Sequence, residues 1–208
     1  MADWWEQYKV DVPVGSSGDW RVKHFEVDAD AAHRFNMRIA FSGTGSRFIQ
    51  PGHYTELARN GQVIMSDTPA EIGDLRELFK RATGRVLIGG LGLGVAVNGV
   101  LQKPEVQHVL VIERSPDVIK LTGAHWRAKY GDRLTIEQAD ILTWKPPKDA
   151  HWDCAWFDIW DEICGDDYDQ HKLLRRRFAR LAAWKECWCA YLVKREHAED
   201  KRPSGRWF

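Results

Sequence analysis

Residues 85–95, RVLIGGLGLGV, constrain this chain more than any other stretch. An apolar run of this length, with no polar residue alternating through it, suits a strand buried on both faces, and such strands belong to parallel sheets. The run then breaks into glycines at alternate positions, Gly90, Gly92 and Gly94. Without a β-carbon, the backbone there can turn sharply and lie against another group. A helix at about 94–101 follows, so the unit reads as strand, glycine turn and helix.

The second half of the chain repeats that rhythm. Strands are expected at 86–88, 109–112, 134–137, 154–158 and 188–193, with helices at about 116–130 and 168–184 between them. Ahead of the first strand, Asp67 or Thr68 followed by Pro69 can start a helix, with Glu71 in its first turn. Ile72, Leu75, Leu78 and Phe79 then recur at helical spacing until Gly84 stops it. Strands alternating with helices predict an α/β fold, a doubly wound, mainly parallel Rossmann-like sheet covered on both faces. Residues 1–67 read as a separate β-strand and hairpin region, leaving 68–208 as the nucleoside-binding domain. In the first region, residues 20–27 (WRVKHFEV) and 35–41 (FNMRIAF) alternate apolar with polar side chains and read as half-buried strands. Asn60-Gly61 tolerates the positive φ angles of a tight hairpin turn. The tail from Lys194 reads as loosely ordered.

In an open parallel sheet, ligands bind beyond the carboxyl ends of the strands, where the strand order reverses. Four elements fall there. The glycine turn comes first, and helix amide donors open behind it. Glu113 ends the second strand, where a carboxylate can accept both hydroxyls of a ribose. Asp140 follows the third strand, in reach of an adenine amine or acting only as a cap for the next turn. Asp158 and Asp161 end the fourth, in WDCAWFDIWDEI. The spacing is G-x-G-x-G, and Val95 stands where a dinucleotide fingerprint wants its third glycine, so a nucleoside fits better than a dinucleotide.

Several function classes find no support. With 30 basic and 30 acidic residues the net charge is zero, so no nucleic-acid or anionic-membrane footprint is visible. The basic run 172–180 (KLLRRRFAR) has the spacing of an amphipathic helix, with Leu173, Leu174, Phe178 and Leu181 toward the core and the arginines in water. The 8 histidines have no metal-site spacing, and Cys154, Cys164, Cys187 and Cys189 match no zinc pattern, so no metal is expected and the thiols read as free. No apolar stretch approaches a membrane span and the start, MADWWEQYKV, lacks a signal pattern, which points to the cytoplasm. Of the 11 tryptophans, Trp156, Trp184 and Trp188 sit in apolar runs and read as core, while Trp160 lies between the two acids.

Taken together, VLIGGLGLG, VLVIE, ADI and the D-x-x-D of Asp158 to Asp161 resemble the motifs of class I S-adenosylmethionine-dependent methyltransferases, most of all the spermidine synthase-like group. The resemblance covers about residues 57–193, and LARNGQVIMSDTPAEI looks like the hairpin and helix entrance of polyamine synthases. It implies S-adenosylmethionine or its decarboxylated form as cofactor, held by Gly90, Gly92, Gly94, Glu113, Asp140 and Asp158. Asp158 is then the expected base, with Asp161 holding a substrate cation or orienting Asp158, in a small-molecule transferase that is a possible homodimer. Three positions depart from these families. Leu93 replaces the aspartate of the polyamine synthases' G-G-G-D-G, and Ile88 and Gly89 stand where many methyltransferases carry an acid. An ammonium enclosed without acceptors costs several kcal/mol. Methyl transfer is therefore expected over aminopropyl transfer, with a non-catalytic nucleoside-binding protein as the third possibility.

Overall fold

The computed structural model of the chain describes residues 3–42 and 47–201. Its first part is an antiparallel sheet in the order β1-β2-β3-β4, made of Gly15–Ser17 (β1), Trp20–Val27 (β2), Gly52–Arg59 (β3) and Gln62–Ser66 (β4). Asn60 (φ 51°) and Gly61 (φ 84°) both take the left-handed conformation that a two-residue hairpin turn requires, which joins β3 to β4 as expected. A bulge between Leu57 and Ala58 sets Leu57 opposite Met65. Asp67, buried behind β4, accepts the amides of Val10 at 3.0 Å and Thr55 at 2.6 Å, tying the N-terminal segment to the sheet.

Between β2 and β3 the expectation of a strand at 35–41 fails, for Ala29–Ser42 is a helix (α1). Asp28 starts it by accepting the Ala31 amide at 2.7 Å, and the Asn36 side chain bonds both backbone groups of Ile49 at 2.8 Å. Phe35, Met37 and Phe41 are left exposed on its surface. Their alternation in sequence therefore does not report a buried sheet face.

The helical run after Pro69 divides at Leu75 into Pro69–Asp74 (α2) and Arg76–Arg81 (α3). Then come Gly84–Gly89 (β5), Val95–Leu101 (α4), Val106–Glu113 (β6), Pro116–Val118 (α5), a π-helical turn at Ile119–Gly123, Ala124–Tyr130 (α6), Leu134–Gln138 (β7), Trp152–Phe157 (β8), Tyr168–Arg177 (α7), Ala182–Cys187 (β9) and Ala190–Asp200 (α8). The five strands pair in parallel in the order β7-β6-β5-β8-β9. This is the doubly wound, Rossmann-like arrangement, with the order reversing between β5 and β8. Alternate residues feed two cores. Val86, Ile88, Val109 and Val111 join Val22, Tyr54 and Leu57 of the first sheet on one side. Leu87, Ile112, Ala155 and Phe157 join Leu174 and Phe178 on the other.

The end of the chain differs from expectation. α7 stops at Arg177 instead of 184, because Phe178 turns into the core against Phe157, with ring centroids 5.0 Å apart. β9 lies at Ala182–Cys187 and not at 188–193, pairing from Trp152↔Ala182 to Phe157↔Cys187 with Trp184 stacked on Trp156. The supposed loose tail is α8 as far as Asp200, fastened by His197 Nδ1 to the Gly165 carbonyl at 3.0 Å and by Tyr168 stacked on His197. Residues 202–208 lie outside the described residues. Within α7, Leu173 is exposed, contrary to the sequence reading, and Arg177 turns inward to donate to the carbonyls of Ile141 and Leu142 at 2.8 and 2.7 Å.

Candidate functional site

Because every strand of the second sheet runs the same way, the loops after β5, β6, β7 and β8 leave from one edge. Register aligns them closely: Gly89 lies beside Ile112 and Phe157, and Glu113 beside Gln138. Gly90, Glu113, Asp140 and Asp158 thus end up around one cavity of ≈ 230 Å³, at the point where the strand order reverses. Asp161 and Gly92 also line it, whereas Gly94 does not. Gly94 sits behind the turn, where a β-carbon would collide with the indole Nε1 of Trp126, so its contribution is to packing and to the start of α4.

The glycine turn is shaped by what crosses it. Gly90 has φ +95°, and a β-carbon there would overlap the Asp158 carbonyl oxygen, so both the conformation and the close passage of β8 require glycine. Above Gly92 lies the thioether of Met65 from β4, which accepts the Leu93 amide at 3.2 Å. Leu93 itself is fully buried, and so is Ile88. Neither position offers room for a solvated acid.

Glu113 is buried, and its two oxygens accept the amides of Leu91 at 2.7 Å and Ser115 at 2.6 Å. Such charge-assisted bonds hold the glycine turn against the end of β6. A carboxylate has about four acceptor positions, so two remain for a ligand. Asp140 spends Oδ1 on the Leu142 amide at 2.9 Å, closing a tight turn, and keeps its second oxygen. Arg177, reaching from α7, fixes the same loop from behind through the Ile141 and Leu142 carbonyls.

Asp158 is the most perturbed acid near the turn. Burial pushes its carboxyl up to about 7, and the negative charges of Glu71 and Asp74 add to the rise. The indole N–H of Trp156 draws it back a little, and among the described residues that N–H has no hydrogen-bond partner. Glu71, in the first turn of α2, also lines the cavity. It accepts the Ser66 amide at 2.7 Å and the Ser66 hydroxyl at 2.8 Å, yet burial outweighs these bonds and raises its proton affinity too.

Asp161 is part-exposed and ion-paired to Arg59, the last residue of β3. The expectation that Asp161 waits for a substrate cation therefore meets a cation already supplied by the chain. Trp160 stacks on His171 with centroids 3.9 Å apart and donates to Gln170 at 3.1 Å, while Trp156 is core and Trp188 lines the cavity. The sequence reading overlooked Arg59 and Met65, which come from the hairpin, and Trp20 from the neighbouring β2, and overlooked Glu71 as a cavity residue. Asn60-Gly61 marked the hairpin itself, but only the pairing of β2 with β3 tells which side chains point into the cavity. No group of three or more metal-binding side chains is gathered among the described residues, and no helix among them is long and apolar enough to cross a membrane.

No protein-family model and no curated protein matches the chain. Among solved structures it is similar to the CcbJ methyltransferase of Streptomyces caelestis, at 17% identity over 53% of this chain and 44% of that one, with a TM-score of 0.43. It is also similar to an S-adenosylmethionine-dependent methyltransferase of Clostridium acetobutylicum, at 14% identity over 53% of this chain and 43% of that one, with a TM-score of 0.39. A third likeness is to the YcgJ protein of Bacillus subtilis, at 20% identity over 41% of this chain and 37% of that one, with a TM-score of 0.36. The chain thus spans less than half the length of each of these three structures.

Proposed function

We propose that the chain is an S-adenosylmethionine-dependent methyltransferase acting on a small-molecule acceptor. The observation that carries this reading is the meeting of the Gly90 turn, Glu113 and Asp140, from three successive strand ends, around one cavity. The residues fit the donor's nucleoside. Glu113 accepts the ribose hydroxyls with the positions that Leu91 and Ser115 leave open, and Asp140 accepts the adenine amine with its second oxygen. The bare backbone at Gly90 lets a ligand lie against the turn.

When bound, the donor would supply an electrophilic methyl carbon on a sulfonium. The chain's own residues align the acceptor, exclude water and receive a proton. Asp158, with a proton affinity near neutrality, takes the proton that the acceptor loses. Leu57, Met65, Leu75 and Ile159 supply apolar walls around it. These walls strengthen the electrostatics inside by keeping the local dielectric low.

One observation favours a second reading, aminopropyl transfer from the decarboxylated donor. Glu71 and Asp158 crowd the same cavity with raised proton affinities, and an ammonium group would neutralise both. The buried Leu93 stands against it, since it removes the acceptor that the polyamine synthases place in the turn. Calorimetric titration of the protein with S-adenosylmethionine and with its decarboxylated form separates the two. Tighter binding of S-adenosylmethionine supports methyl transfer; tighter binding of the decarboxylated form overturns it.

A further inference from the structure

We propose that the acceptor carries a carboxylate and that Arg59 takes hold of it, exchanging Asp161 for the substrate's anion. The inference rests on the methyltransferase reading and names the class of molecule that the reading leaves open.

Arg59 lies opposite Trp20 in the β2–β3 pairing, and its guanidinium carbon stands 5.2 Å from the centre of the Trp20 ring. Two residues before it, Leu57 lines the same cavity, so the alternation of β3 directs Arg59 inward as well. A guanidinium stacked on an indole is held in plane and keeps its edge free. Of its five N–H donors, one is engaged among the described residues, by Asp161. The remaining fork matches a carboxylate, which it can bind through two parallel hydrogen bonds.

Asp161 is an exchangeable partner. Its side chain is 37% exposed and that of Arg59 36%, so water reaches the pair. Pairs of this kind hold by no more than about fivefold. An anion bound deeper, away from water and in bidentate geometry, outcompetes it. The opposite assignment, an amine on Asp161, would bring an ammonium beside a guanidinium that is already there. Trp20 lies beside Arg59 and Trp160 lines the same cavity, so a flat ring bearing the carboxylate suits the site.

The test uses the full chain saturated with S-adenosylhomocysteine, and three probes followed by calorimetry: 4-hydroxybenzoate, phenol and tyramine. The proposal predicts that 4-hydroxybenzoate binds most tightly. It predicts that Arg59→Gln weakens that binding by about ten- to a hundredfold, the worth of a charged hydrogen bond, while leaving phenol unchanged. It also predicts that Asp161→Asn, which frees Arg59, tightens 4-hydroxybenzoate several-fold. A merely structural ion pair would behave otherwise, with both variants weakening all probes alike. That result overturns the proposal, as does tyramine binding more tightly than 4-hydroxybenzoate. If S-adenosylhomocysteine binds and no probe prefers the carboxylate, the inference falls and the donor site stands; if S-adenosylhomocysteine itself does not bind, the methyltransferase reading falls and takes the inference with it.

Discussion

Replacing Asp158 with asparagine should make the protein more stable in mildly alkaline solution while removing its proton acceptor. In the folded chain the Asp158 carboxyl titrates near 7 against an ordinary value of 3.8, because burial and the charges of Glu71 and Asp74 disfavour its ionised form. The native state therefore holds this proton more firmly than the unfolded chain does. Between about pH 4 and pH 7 the native state binds more protons than the unfolded one, so stability falls as pH rises through that window and levels off above it. The difference of about three pH units corresponds to at most about 4 kcal/mol, with relaxation and water entry cutting the realised figure to about 2 kcal/mol. The amide introduced by Asp158→Asn would carry no charge to penalise at any pH. For a chain of this length about 2 kcal/mol moves the melting midpoint by roughly 4–8 °C. The assay is thermal unfolding of both proteins across the range from about pH 5 to about pH 8.5. The variant should melt only a little above the wild type near pH 5 and well above it near pH 8.5. A difference that is the same at both ends, or a variant less stable at the alkaline end, would refute the reasoning.

Other substitutions probe separate parts of the account. Asp67→Ala leaves the buried amides of Val10 and Thr55 without partners, and should lower stability by about 2–4 kcal/mol in urea unfolding with the donor site intact once folded. Leu93→Asp restores the residue that the polyamine synthases carry, but at a position with no exposed surface. It should cost several kcal/mol in the same measurement and fail to raise affinity for decarboxylated S-adenosylmethionine.

The parallel half was legible because its central strands β5 and β8 are buried on two faces while its helices bury one, so hydrophobic period separates them. The acids at the strand ends followed from that, since a parallel sheet brings every carboxyl end to one edge. Residues 35–41 misled because α1 buries little and leaves Phe35, Met37 and Phe41 on its surface, so their spacing reports no buried face. β9 was displaced by one element because WKECWCAYLV is apolar enough on both sides of Cys187, and only pairing with Trp152–Phe157 selects the first part. α8 is charged and reads locally as loose chain; its anchors, Gly165 and Tyr168, lie more than twenty residues away in sequence. Arg59 and Glu71 belong to the same class of omission. Each faces the cavity because of a tertiary register that no local pattern encodes.

In the proposed function, Glu113 and the Gly90 turn together bind the nucleoside of the donor. Calorimetric titration of S-adenosylhomocysteine into the wild type and into Glu113→Ala, with circular dichroism to confirm that both are folded, tests it most directly. The account predicts saturable binding to the wild type and a loss of about a hundredfold or more in the variant, from removal of charged acceptors. Equal binding by both proteins, or no binding by the wild type, would contradict it.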